Sequence, residues 1–423
     1  MFQLEAIALG AYFIRDSLGG MLTYYTHAYG IQALWFLPDL AGLACVGLFV
    51  HRCVVRNQSL LALAVLLQVI VSLGIGFVFL DSGYAALSAF KMILPAFVGF
   101  CFCDEDVGSY TKLLWLTKAI FYISVIGVFL SAYTTMPWVG YSYEAFGAKR
   151  YATRLWWAAS EQRLAGLAAD NTAAGFFILI TFVFTSIRKN VLWCIVLGSI
   201  AVYAINLTTS KTTMVVLILY LTCLLMVRTL PEQSRFPAVR LIALASFGAI
   251  LLPACLIILF SGENPVHTSS FLFSMQDRIN NSWQLPFVYL SQLMPIGWLT
   301  GCGLGCFNYP HNLFSPLAQY WVPVDNFYIG SYLMFGLPFV GFMWMVFRSS
   351  FALTDIYKLC SLFVMNLFSI TVLIYVPSSG LLVMAIAFSK SFSLGAFKSA
   401  SVHRPNHPPG RSLYASSSRV PAE

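Results

Sequence analysis

The chain has 423 residues, of which 59% are apolar and 9% charged, against roughly 25% charged in an ordinary soluble domain. So little charge cannot clothe a water-facing surface of this size, which excludes a conventional soluble domain and leaves lipid as the simplest surroundings. The formal net charge of +8 matters less than where the charges sit.

Unbroken apolar runs such as 60–80 (LLALAVLLQVIVSLGIGFVFL) read as helices. A closed barrel would alternate apolar and polar residues, and that pattern is absent. Hydropathy places spans at 4–20, 31–50, 60–80, 88–103, 112–132, 165–187, 191–206, 212–229, 240–260, 326–347, 356–376 and 379–397. The expected fold is all-α: a polytopic membrane protein of about twelve transmembrane helices at about 20 residues each. The first span is weak because it contains Glu5, Arg15 and Asp16. The opening MFQLEAIALG has no basic region, so no cleaved signal peptide is expected. No internal repeat is visible, which weakens an inverted-repeat transporter reading.

Basic residues in alternate loops set the orientation. One set holds Arg52 and Arg56; Arg188 and Lys189; Arg228, Arg235 and Arg240; Arg348; and the tail with Lys398, Arg404, Arg411 and Arg419. These loops should be cytoplasmic, with both termini on that side. Residues 1–397 then form a single membrane domain, and 398–423, rich in Ser, Pro and Arg, form a disordered cytoplasmic tail. Two outer loops are long, 133–164 and 261–325, and their Trp, Tyr, Pro and Gly content suggests folded caps over the membrane.

The first long loop carries Lys149, Arg150, Arg154 and Arg163 against Glu144 and Glu161. A basic outer loop runs against the positive-inside tendency, and an anionic substrate such as phosphate would compensate it, gripped by the planar arginine fork. A solvated loop facing lipid headgroups is the plainer alternative. Next, Asp170 and Asn171 interrupt an apolar helix near its outer end; polar groups there face a cavity or hold helices together. In NLTTSKTT (206–213), Lys211 falls at the outer boundary, as a ligand or a snorkelling lysine.

The second long loop is the densest. Asp277 and Arg278 precede Trp283; GCGLGC (301–306) follows; then His311 and Asn312; then Asp325 and Asn326 open the next span. The glycines do not match a dinucleotide fingerprint, and a tight turn is the simpler reading. Cys302 and Cys306 share this loop, and a disulfide there is possible. His311 could be a general base or a structural histidine, and Asp325 a base or a helix N-cap. No metal-binding or Walker spacing appears, so no cofactor is expected.

Together these segments resemble the bacterial polysaccharide polymerase and O-antigen ligase family, called Wzy-like. The resemblance rests on TTSK with Ser210 and Lys211 at a polar helix end, on DRINNSW (277–283) followed by GCGLG (301–305), and on PHN (310–312) and VDNFYIGSYLMFGLPFVG (324–341). Lysine stands at 211 where the family usually has arginine. The resemblance implies a metal-independent enzyme of the bacterial inner membrane. It would join oligosaccharide repeats carried on undecaprenyl pyrophosphate at the outer face, for exopolysaccharide, capsule or O-antigen. A chain-length regulator or export protein would be a partner, and nucleic acid would not. On this reading His311 or Asp325 would act on the attacking hydroxyl. Arg154, Arg163, Lys211, Arg278, Asp170, Asn171, Asn312 and Asn326 would bind pyrophosphate and glycan. Trp156, Trp157, Trp283 and Trp321 would stack on sugars or anchor the interface. A ligase of the same family, or a transporter of lipid-linked glycan, are the alternatives.

Overall fold

The computed structural model describes residues 3–145, 148–154, 157–158, 161–260 and 275–393, and these are predominantly α-helical. The expected disordered tail and Trp156 lie outside the described residues. The helices are α1 (Leu4–Ser17), α2 (Gly19–Ala28), α3 (Leu37–Phe49), α4 (Leu60–Leu80), α5 (Gly83–Phe100), α6 (Thr111–Tyr133), α7 (Asn171–Ser186), α8 (Val191–Leu207) and α9 (Lys211–Thr229). Then follow α10 (Glu232–Ile250), α11 (Leu252–Phe260), α12 (Leu285–Leu293), α13 (Gly297–Thr300), α14 (Tyr309–Phe314), α15 (Phe327–Phe335), α16 (Leu337–Ser350), α17 (Ile356–Phe368) and α18 (Ser378–Phe388). The first long loop contains two antiparallel hairpins, β1 (Ser142–Ala145) with β2 (Ala148–Tyr151), and β3 (Trp157–Ala158) with β4 (Glu161–Gln162).

Among the described residues, six helical stretches are long and apolar enough to cross a membrane: Gln32–Arg56, Leu60–Leu80, Gly83–Phe100, Thr111–Tyr133, Lys211–Thr229 and Glu232–Phe260. The helix α4 illustrates why. Ser59 caps its start by accepting from the Ala62 N–H, an unbroken apolar run follows, and Asp81 ends it in a left-handed turn. Its mean hydropathy is 2.6, yet Leu60, Ile70 and Val78 stand exposed. Apolar faces of this extent need lipid rather than water around them. These helices make the chain a membrane protein.

Two of the shorter apolar helices, α7 and α18, sit inside. Every residue of α7 except Thr172 is buried, and so is every residue of α18 after Ser378. A helix apolar on all sides belongs in the interior of a bundle. The peripheral helices wrap these pillars. At the α5–α18 crossing, a side chain at Gly99 would collide with the Leu382 carbonyl, so glycine lets the two backbones meet.

The structure redraws several predicted boundaries and the place of one loop. The span predicted at 326–347 is two helices, broken at Gly336, which has φ +65°. The span predicted at 165–187 starts only at Asn171, because Asp170 caps it. The one predicted at 356–376 ends at Phe368, and an irregular segment carries the chain to Ser378. Lastly, the glycine-rich turn does not lie over the bundle. Residues 301–308 are buried, the Leu304 N–H donates to the Ser72 carbonyl of α4, and the Cys302 N–H donates to the Leu333 carbonyl of α15. Ser72 lies eight residues below the end of α4, so the loop dips about 12 Å into the bundle at 1.5 Å per residue. Irregular backbone at that depth is tolerable only when packed in protein. Gly303, at φ +89°, abuts the Gly76 backbone so closely that a side chain there would overlap it. Cys302 and Cys306 are joined as a disulfide across this turn.

Candidate functional site

On the face that carries both long loops, the irregular segment after α17 draws three elements together. The Arg278 guanidinium lies 3.2 Å from Asp325 Oδ2 and donates to the Thr371 carbonyl at 3.3 Å. The Thr371 hydroxyl is 2.7 Å from that of Thr212, the residue after Lys211. Arg278 and Thr212, the neighbour of Lys211 in the first turn of α9, thus meet at one segment of backbone.

Each is held by its own local structure. Arg278 opens a π-helical turn, Arg278–Gln284, that runs straight into α12. Such turns often mark functional positions. Lys211 is the first residue of α9, after Thr209 has turned the chain at φ +55°. The positive end of a helix dipole disfavours a lysine, so the exposed Lys211 ammonium and the α9 N–H groups together call for an anion. Asp325 precedes α15, but it does not cap that helix. Asn326 does, accepting from the Ile329 N–H at 2.9 Å while its amide donates to the Ile370 carbonyl at 2.7 Å. Asn326 is fully buried and spent in these bonds, which corrects its expected role in binding glycan.

That cap leaves the Asp325 carboxylate to the site. Its Oδ1 accepts from the Trp283 indole at 2.7 Å. Burial raises its pKa above the usual carboxylate value, while Arg278 and Trp283 pull it back. It is a carboxylate held by two partners, with lone pairs left for a hydroxyl proton. Trp283, fully buried, positions Asp325 and offers no face to a sugar, again a correction to the sequence reading. Trp321 is half-buried, and the Trp157 side chain lies outside the described residues.

His311 has a different place. It is fully buried; its Nδ1 accepts from the Phe307 N–H at 3.2 Å, and its Nε2 lies 3.0 Å from the Leu317 carbonyl, to which it can only donate. Burial lowers its pKa. Both nitrogens are engaged in tying the glycine turn to the segment after α14, so the base expected at His311 has no free lone pair in this arrangement. Asn312, next to it, is exposed.

The remaining predicted residues lie along the neighbouring rim. Asp170 caps α7 through the Ala173 N–H at 2.7 Å, and Asn171 donates to the Thr208 carbonyl at 3.1 Å. They stitch α7 to the turn before α9, the helix-holding alternative for this pair. The Arg154 N–H donates to the Ala169 carbonyl at 3.0 Å. Arg154 and Arg163 line a cavity of about 60 Å³ at the end of α6. Arg163 therefore lies on this rim, and the bonds that join Arg278, Asp325, Thr371 and Thr212 do not include it.

Two features escaped the sequence reading. The larger is an apolar cavity of about 590 Å³ between α4, α5, α15, α16 and α18. Phe97, Phe327, Phe339 and Tyr375 line it, and Phe327 is only two residues beyond Asp325. The other is an ion lattice among α1, α3 and α5. Arg15 reaches Asp16 and Asp39, each at 2.9 Å, and Ser378 at 3.1 Å; Lys91 lies 3.0 Å from Asp39. Its signal was the charge in the weak first span together with Asp39, but Lys91 sits within an apolar run. Among the described residues no three His, Cys, Asp or Glu side chains gather as a metal site. No family model, curated protein or solved structure matches this chain.

Proposed function

We propose that the chain is a membrane-embedded polysaccharide polymerase of about twelve passes, with both long loops at the outer face of a bacterial inner membrane and both termini in the cytoplasm. The observation that carries this reading is that Arg278, paired with Asp325, and Thr212 of the first turn of α9, the helix that opens on Lys211, both bond to Thr371. A sugar hydroxyl of one lipid-linked repeat attacks the anomeric carbon of the growing chain, and undecaprenyl pyrophosphate leaves. Asp325 takes the hydroxyl proton. Arg278 and Lys211 stabilise the charge growing on the departing diphosphate, where preplaced cations act most strongly. The apolar cavity beneath Asp325 has the chemistry of a polyprenyl tail. A ligase would share this machinery and differ in its acceptor.

The direct test is reconstitution. The purified chain in proteoliposomes, given lipid-linked repeats and no other protein, should yield polymer; repeats left unjoined would refute the reading. The acid limb of that reaction reports the base. Since burial raises the Asp325 carboxyl, the rate should fall as pH drops through a value above the ordinary pKa near 3.9, because the protonated form cannot accept a proton. Asp325→Asn should lose about a hundredfold or more and lack that limb. An unchanged limb in the variant would move the base elsewhere.

One observation favours a second reading, transport of a lipid-linked glycan. Arg15, Asp16, Asp39 and Lys91 place charge among spanning helices, as a translocation path would. Flux of lipid-linked repeats across the same proteoliposomes without polymer would support it.

A further inference from the structure

The ten cysteines differ in state by where they sit. Cys302 and Cys306 are joined in the glycine turn that enters from the side of the long loops. At the other end of α4, Cys53 and Cys103 stand as free thiols with their sulfurs 3.3 Å apart. Cys53 lies in a π-helical turn, Val50–Arg56, that continues α3, and Cys103 follows the end of α5. Two bonds fix the register on either side of the pair. Arg52 donates to the Cys101 carbonyl at 3.1 Å, and the Asn57 amide donates to Asp104 Oδ2 at 2.8 Å. Backbone already tied together thus sets the two thiols opposite one another, although 50 residues separate them in the chain.

The surroundings suit oxidation. A disulfide holds its sulfurs about 2.05 Å apart, so closure draws this pair together by little more than about 1 Å. The buried Lys358 ammonium of α17 donates to the Phe102 carbonyl, one residue before Cys103. A cation there favours the thiolate, the form that attacks an oxidant. Both cysteines are buried, but exposure begins at Asp104, whose bond to Asn57 is open to water. Such a bond opens locally at little cost, which admits a small oxidant. In the orientation proposed above, this end of the bundle faces the cytoplasm, where thiols are kept reduced, and Cys302–Cys306 belongs to an oxidising side.

We propose that Cys53 and Cys103 form a redox-modification site, a dithiol at the cytoplasmic end of the bundle that a hydroperoxide closes to a disulfide. The Cys103 thiolate attacks one peroxide oxygen and the O–O bond breaks. The other oxygen leaves as water or an alcohol, taking up the proton the thiol gave up, and a sulfenic acid remains. The Cys53 sulfur then attacks the Cys103 sulfur, and its proton departs with the hydroxyl as water. Two thiols lose two electrons, and the hydroperoxide gains them. The new bond encloses α4 and α5, which both wall the apolar cavity, in one covalent loop. The site is independent of the polymerase chemistry and rests on that reading only through its orientation.

Hydrogen peroxide added to the purified, reduced full chain tests this. Wild type should lose two of its eight free thiols for each peroxide consumed. Peptide mapping without reductant should find Cys53 joined to Cys103, and dithiothreitol should restore both thiols. Closure should raise the thermal midpoint by several degrees, since it constrains a loop of about fifty residues in the unfolded chain. Cys53→Ser should stop at a sulfenic acid on Cys103 that dimedone captures, and Cys103→Ser should give neither product. The wild-type mapping decides the matter even where a serine variant fails to fold. Peroxide that leaves both thiols of the folded wild type intact, or a bond from either one to Cys45 or Cys101, would overturn the site. A Cys53–Cys103 bond already complete in cells whose thiols are blocked at lysis would overturn the reduced dithiol together with the orientation. Polymer synthesis in proteoliposomes would still be judged by its own outcome.

Discussion

Replacing Arg278 by alanine is expected to cut polymer synthesis by about a hundredfold or more, since removing one preplaced donor to a developing oxyanion costs about 10²–10³ in rate. Two losses combine. The departing diphosphate loses its paired cation, and Asp325 loses the guanidinium 3.2 Å from Oδ2. Without that charge, burial is opposed by the Trp283 bond but no longer by a cation, so the pKa climbs further and the acid limb of the rate moves up. Arg278→Lys should recover part of the rate, because a point charge replaces the fork. Arg163→Ala is the comparison. It removes a cation from the rim cavity, none of whose lining residues bonds to Thr371, and should cost less than about tenfold, the scale of one ion contact outside the reacting groups. Chain length and initial rate from lipid-linked repeats measure both. A normal rate with Arg278→Ala would sink the site assignment, and equal losses at both positions would extend the site to Arg163.

The sequence was legible where one local signal decided the structure. The run 60–80 became Leu60–Leu80 because a serine cap and a left-handed aspartate bound it. Lys211, Arg278 and Asp325 stood out because polar groups beside apolar helices are costly and conspicuous. Legibility failed where tertiary contacts decide. Thr371, which joins the site, lies inside what hydropathy reads as a spanning helix; the chain there is irregular, and Asn326 satisfies part of it through the Ile370 carbonyl. His311 and Asn326 have functional residue types, and only their partners reveal that they are occupied. Lys91 was lost for the same reason as Thr371: one charge within an apolar run does not lower the average enough to register. The helix α10 begins at Glu232 rather than near 240, because its first turns are polar and hydropathy sees only the later part.

The second large effect concerns folding. Arg15→Ala is expected to prevent accumulation of folded protein. Arg15 is the shared partner of Asp16 and Asp39, and Asp16 in turn accepts from both the N–H and the hydroxyl of Ser379 at the start of α18, each at 2.8 Å. Removing one partner of a buried pair costs about 3–5 kcal/mol, because the opposite charge is left uncompensated. A typical domain has only about 5–15 kcal/mol of net stability. The loss falls where α1 meets α18, one of the two buried pillars, so it should not remain local. Arg15→Met with Asp16→Asn removes a charge of each sign and leaves Lys91 to pair with Asp39. That double variant should restore monodisperse protein and most of the thermal midpoint lost by the single change. If Arg15→Ala is as abundant and as heat-resistant as wild type, the lattice does not hold α1 to α18. If the double variant folds and polymerises normally, the lattice is scaffold, and a translocation path through it loses its support.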